Sequence, residues 1–213
     1  CDTRNLRRPM LVFNPASTAR GGVVNCDGES FFVEPVPALG CAILDRDHPS
    51  PPYAGSRNLC NGILEAKIAT DGALLSLRHL PTGREVGARS NLNDAAAKLN
   101  QLVLYEDHPR AWEAWDIDPE YAAKAFPLCG PVDQLREISL GELASGVEVT
   151  RSVGESSRIT QTYVLFAGAP RLDIRTRIEW REQRRLLRAL FPVNVRSRTA
   201  THEIAFGHIQ RPA

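Results

Sequence analysis

The chain has 213 residues, 43% of them hydrophobic and 24% charged, with a formal net charge of +1. That length suffices for one large β domain, or two small ones, around a real core. The near-neutral charge excludes bulk attraction to nucleic acid or an anionic membrane, and no run approaches the ~20 apolar residues that would span a bilayer. The cysteines Cys1, Cys26, Cys41, Cys60 and Cys129 are odd in number and widely spaced. They suit small buried thiols in a cytoplasmic protein better than a zinc site or a disulfide framework. A chain that opens on Cys1 reads as a piece of something longer.

In chain order, short strands are expected at Met10–Phe13, Val23–Val24, Phe31–Val36 and Cys41–Leu44, separated by the turn pairs Asn14-Pro15, Gly21-Gly22 and Asp27-Gly28. These make a small β-subdomain over 1–48. The proline-rich stretch that follows predicts a linker over 49–57, and 58–213 forms a large β domain. Within it, Ile63–Ala69, Asp71-Gly72 and Leu74–Leu77 read as a β-hairpin, and Pro81-Thr82-Gly83 as a second turn. The segment 88–101 is the one helix candidate, centred on Ala95–Ala97, with a loop as the alternative. Leu102–Tyr105 is strand-like. Beyond it, 106–131 is a long irregular stretch carrying Trp112, Trp115, Tyr121 and Phe126, and structured loops of that length are often functional.

The clearest pattern spans 171–181. Leu172, Ile174, Thr176, Ile178 and Trp180 alternate with Arg171, Asp173, Arg175, Arg177, Glu179 and Arg181. A period of two with one charged face predicts an antiparallel strand burying Leu172, Ile174, Ile178 and Trp180. It pairs with Ile159–Phe166 through Ala167–Pro170. Arg185–Val195 and Thr201–Ile209 are further strands. Many strands and almost no helix predict an all-β, antiparallel sandwich.

Three side-chain groups bear on chemistry. Trp112, Trp115, Asp116 and Asp118, with Tyr105 before them, combine rings and carboxylates as sugar sites do, since apolar sugar faces stack on rings while carboxylates accept hydroxyl hydrogen bonds. These five are the substrate-proximal candidates; the plainer reading is a loop anchor. His202 and His208, placed on one strand, would lie roughly 20 Å apart at ~3.3 Å per residue, too far to share a metal. The arginines of 181–188 are expected to form a cross-strand ion-pair network on a solvated face. No residue is assigned a catalytic or metal-binding role.

Several strings carry a resemblance: LVFNP at 11–15, DGAL-x-SL at 71–77, TGRE at 82–85, NQLVLYED at 100–107, WEAWDID at 112–118, SRITQ at 157–161 and PRLDIRTRIEW at 170–180. LFPVNVRS and the run ending in Arg211-Pro212 complete the order. Together they resemble the C-terminal β-region of family 38 α-mannosidases. The resemblance implies a galactose mutarotase-like supersandwich after a small β-subdomain, truncated at its C-terminus. It implies α-mannoside hydrolysis with retention by the full-length parent, whose zinc, nucleophile and acid/base belong to a β/α barrel absent here. The isolated chain is then expected to be inactive, partnered by that barrel and by a helical bundle, with carbohydrate as ligand and self-association left open. The competing readings are a carbohydrate-binding module using Trp112 and Trp115, and a free-standing mutarotase-type epimerase.

Overall fold

The computed structural model describes residues 3–47, 58–88, 97–112, 115–139 and 143–212. Its N-terminal part is two antiparallel pairs: β1 (Pro9–Phe13) with β4 (Cys41–Asp45), and β2 (Arg20–Cys26) with β3 (Glu29–Val36). The β2–β3 turn is Asp27-Gly28, both at positive φ (52° and 80°), the backbone that a two-residue hairpin with native twist requires. Buried Asn14 ties the two pairs together, its amide donating to the carbonyls of Thr18, Val36 and Pro37 at 2.8–3.0 Å. The linker expected over 49–57 lies outside the described residues.

The larger part contains three sheets. One is β5 (Asn58–Cys60), β6 (Leu64–Ile68), β7 (Leu74–His79) and β8 (Arg84–Glu85); β6 and β7 form the expected hairpin. A second places β9 (Gln101–Glu106) between β10 (Ala125–Pro127) and β15 (Arg185–Leu190). The third runs in order β11 (Gln134–Ser139), β12 (Ala144–Val153), β13 (Ser157–Phe166) and β14 (Leu172–Glu179). A hairpin of β16 (Thr199–Ile204) and β17 (Gly207–Pro212) ends the described chain. All strand pairings are antiparallel, and the described residues contain no α-helix, so the all-β antiparallel fold stands. The helix candidate 88–101 falls mostly outside the described residues; of its end, Leu99 bridges Leu74 in extended form.

The core is a sandwich. Leu59, Leu64, Ala66, Ile68, Leu74 and Leu99 pack against Val147, Val149, Tyr163 and Leu165 of β12 and β13. A second cluster joins Leu102 and Leu104 of β9 to Val153 and Ile159. Burying each large side chain contributes roughly 1.5–3 kcal/mol. A polar network crosses this core: Tyr163 donates to the Gly72 carbonyl at 2.6 Å and accepts from the Asn100 amide at 2.7 Å. Burial pushes the Tyr163 hydroxyl up to about 12, opposed by the Asn100 bond.

Three expectations need correction. On β14, Leu172 and Ile174 pack against the core, but Ile178 and Trp180 are 47% and 38% exposed. The face was read correctly, since Ile178 stands opposite buried Ile159; β14 is the edge strand of its sheet, and Ile178 borders an open cleft that it shares with Leu187 and Ala189 of β15 rather than a closed core. Second, 201–209 is not one strand. Ala205-Phe206 turns the chain, with Phe206 at φ 60° where glycine is usual, so Glu203 faces His208 and His202 faces Ile209. The two histidines therefore lie on opposite faces of a hairpin. The thiols of Cys41, Cys60 and Cys129 are also exposed rather than buried, because each stands at or just past a strand end.

Candidate functional site

The aromatic stretch leaves β9 at Glu106 and returns through a 3-10 turn, Pro119–Ala123, to β10. Residues 102–105 of β9 are all buried, so both faces of this central strand are covered. Leu102 and Leu104 face the second core cluster. Tyr105, on the other face, meets the Tyr121 ring edge-on with centroids 5.1 Å apart. The loop thus closes over the strand from which it springs.

Charge pins its base. Glu106 accepts from Lys124 Nζ at 2.6 Å and lies 3.5 Å from Arg185. The Lys124 hydrogen bond chiefly holds the Glu106 carboxyl below its ordinary range, with further help from Lys124, Arg185 and His108 charges. Arg188 lies over the Tyr121 ring, 5.5 Å from its centroid, and hydrogen-bonds its hydroxyl; Arg185 lies over Phe126. These two arginines belong to the run expected to form a cross-strand ion-pair network. Arg185 makes one such cross-strand pair, with Glu106 opposite it on β9, but both arginines also turn toward loop aromatics, while the pairs Arg171–Asp173 and Arg177–Glu179 sit two residues apart on one strand. Side chains two apart share a face, which is why the alternation produces them.

The tip is ordered by its own backbone. Asp118 Oδ2 accepts both the Arg110 amide and Arg110 Nε at 3.0 Å, and that bond raises the guanidinium pKa above its ordinary value. The Trp112 carbonyl, at a residue with φ 60°, accepts the Trp115 and Asp116 amides at 2.7 and 3.0 Å. Asp116 Oδ1 takes the Ile117 amide. The result presents both indoles to solvent, Trp112 74% and Trp115 90% exposed, rather than folded onto the sandwich. Beside them lies an open hollow of about 420 Å³ lined by Glu106, Asp107, His108, Arg110, Asp118 and Tyr121, among others.

Of the sequence candidates, the structure brings Trp112, Trp115, Asp116 and Asp118 together on the tip and sets Tyr105 apart, buried beneath it. Sequence reasoning passed over Arg110, Tyr121 and Lys124, which shape the hollow; Tyr121 was visible as an aromatic, but its stacking partner was not. Among the described residues no three His, Cys, Asp or Glu side chains converge, so a zinc ion has no ligand set among them.

The profile of the Glycosyl hydrolases family 38 C-terminal domain matches residues 59–213. Alpha-mannosidase 2C1 of Homo sapiens is 35% identical over 158 residues, 74% of this chain and 15% of that protein. Alpha-mannosidase G of Dictyostelium discoideum is 28% identical over 193 residues, 89% of this chain and 17% of that protein. The chain therefore spans about one-sixth of the length of these relatives. The crystal structure of an alpha-mannosidase from Enterococcus faecalis superposes with a TM-score of 0.63 at 13% identity, covering 96% of this chain and 27% of that one. At that identity the likeness concerns the fold.

Proposed function

The chain belongs to the glycosyl hydrolase family 38 C-terminal domain family, and from that premise we propose that it is the non-catalytic β-domain of a retaining α-mannosidase. In this reading a catalytic barrel, elsewhere in a longer cytoplasmic polypeptide, carries the nucleophile, the acid/base and the zinc. The small subdomain over 1–48 and a mutarotase-related supersandwich are part of the same proposal, as is the loop tip at 112–118 lining the sugar site.

One observation carries the loop assignment: a tip fixed by Asp118 and Arg110 that holds two indoles in water. Exposed indoles forgo burial, yet the loop is built to keep them out. Rings presented beside carboxylates suit the apolar faces and hydroxyls of a pyranose. The same rings favour, as a second reading, a carbohydrate-binding module that acts without a barrel.

The test is hydrolysis of p-nitrophenyl α-mannoside by this chain and by the full-length enzyme carrying it. The chain is expected to be silent and the enzyme active. In that enzyme, W115A and D116A should lower kcat/KM at unchanged melting temperature, by about 1–3 kcal/mol of transition-state stabilisation each. Activity of the chain alone would overturn the reading. Unchanged kinetics in both variants would remove the loop from the sugar site, and mannoside binding by the chain without an encoded barrel would favour the module.

A further inference from the structure

The hollow beside the loop tip has a chemistry of its own. Its volume of about 420 Å³ lies within the roughly 300–1,000 Å³ of small-molecule sites, with room for one sugar unit. Most charges on its walls already satisfy one another. Glu106 meets Lys124 and Arg185 at 2.6 and 3.5 Å, and Arg110 meets Asp118 and Glu120 at 3.0 and 3.6 Å. Two lining side chains are left over: among the described residues, the Asp107 carboxylate and the His108 ring have no hydrogen-bond partner. Their backbone is held, because the Asp107 amide donates to the Arg184 carbonyl at 2.9 Å, one step beyond the Arg185–Glu106 pair of β15 and β9. Tyr121 supplies an apolar wall, its ring fixed by Tyr105 and Arg188.

We infer that this hollow is a second sugar subsite of the loop, holding an uncharged pyranose of an oligosaccharide whose neighbouring residue meets Trp112 and Trp115. The inference rests on the assignment of the loop to the sugar site and deepens it. Asp107 and His108 bind an adjacent pair of hydroxyls on that pyranose. A carboxylate only accepts hydrogen bonds, whereas a neutral imidazole donates one and accepts one, which complements two neighbouring hydroxyls. The one open charge is negative, so a sugar bearing phosphate is repelled. Two open groups are too few for a metal ion, which needs at least three protein ligands. Arg110 and Asp118 line the hollow and also fix the tip, so the two sugar positions share a wall.

Substrate length tests the inference in the full-length enzyme. D107N and H108A should lower kcat/KM for an α-linked mannotriose at least about tenfold more than for p-nitrophenyl α-mannoside, with the loss mainly in KM. Neither side chain has a partner to lose, so the melting temperatures should hold and unfolding cannot mimic the effect. In saturation-transfer NMR, this chain alone should bind mannotriose, D107N should abolish the signal, and mannose 6-phosphate should give none. Equal losses on both substrates, or no loss on either, would overturn the subsite. So would a chain that gives no transfer from mannotriose, or one that takes mannose 6-phosphate as readily. The two ideas fail separately. An active enzyme that W115A impairs, but in which D107N and H108A show no dependence on substrate length, sinks only the subsite. Transfer that D107N abolishes, in a chain whose full-length parent does not cleave mannosides, sinks only the functional reading.

Discussion

Phe32 of β3 lies against Gly168 in the β13–β14 turn so closely that a Cβ there would fall 2.7 Å from the ring's Cε2 and nearer still to Cζ. This contact joins the N-terminal strand pairs to the sandwich. Gly168 also takes φ 64°, a left-handed backbone that costs other residues roughly 1–2 kcal/mol. Asn61 braces the same turn, its amide donating to the Phe166 and Ala169 carbonyls at 2.7 and 2.8 Å. G168A should therefore destabilise by about 1–2 kcal/mol from the backbone, with more from the ring. In a double-mutant cycle F32A should recover only the ring's share. Additive effects in urea unfolding would mean that the contact is absent in solution.

Glu182, between β14 and β15, reaches the β12–β13 turn, where its Oε1 accepts the Glu155, Ser156 and Ser157 amides and the Ser157 hydroxyl at 2.9–3.2 Å. The Ser156 amide, then the Ser157 hydroxyl and the other two amides, hold its pKa below the ordinary 4.5. A lowered folded pKa means the unfolded chain binds the proton first as pH falls. The clamp's contribution is thus fully present above pH 4.5 and is lost as pH drops through the lower folded value. E182Q removes the titration, so its melting temperature should fall less steeply between about pH 5 and 3 than that of the wild type. Parallel curves would show that the clamp does not titrate.

Arg151 is buried on β12 and gives its guanidinium to the carbonyls of Leu128, Asp71 and Gly130 at 2.6, 2.7 and 3.1 Å. Desolvation lowers its pKa, opposed chiefly by the Asp71 charge. The side chain holds the 71–73 turn against the segment after β10. R151M keeps the volume but leaves three carbonyls without their donor, and should cost about 2–4 kcal/mol in chemical denaturation. A loss below about 0.5 kcal/mol, the range of ordinary surface substitutions, would show that water replaces those bonds.

The strands that alternate and turn locally were legible in the sequence. Asp27-Gly28 announced β2–β3, Asp71-Gly72 announced β6–β7, and the 171–181 alternation gave the face of β14 correctly. Long-range pairing was not legible: β15 lies about eighty residues from β9, and nothing local states that Arg185 stands opposite Glu106. The β16–β17 turn was missed because Phe206 occupies a positive-φ position that glycine or asparagine normally marks. Exposure of Ile178 and Trp180 was missed for another reason. Alternation tells which face a residue is on, whereas burial depends on what lies over it.

Tyr105 and Trp115 illustrate the same limit at the candidate site, and they give the sharpest contrast in outcome. Both are substrate-proximal candidates in the sequence, but Tyr105 is 7% exposed and Trp115 90%. Since β9 is covered on both faces, residues 102–105 form an apolar run without periodicity, and no pattern told Tyr105 from a surface ring. Its ring fills the space between β9 and the 3-10 turn, in edge contact with Tyr121. Y105A removes that buried ring and should cost about 3–5 kcal/mol in the isolated chain. W115A removes a side chain in water and should shift stability by no more than about 0.5 kcal/mol. In the full-length enzyme the order should reverse for catalysis at permissive temperature: W115A lowers kcat/KM, while Y105A lowers the fraction of folded enzyme and leaves turnover per folded molecule nearly intact. Active-site titration alongside the kinetics separates the two quantities. A Y105A enzyme that is fully folded but catalytically impaired would return Tyr105 to the substrate site and contradict its assignment to the scaffold.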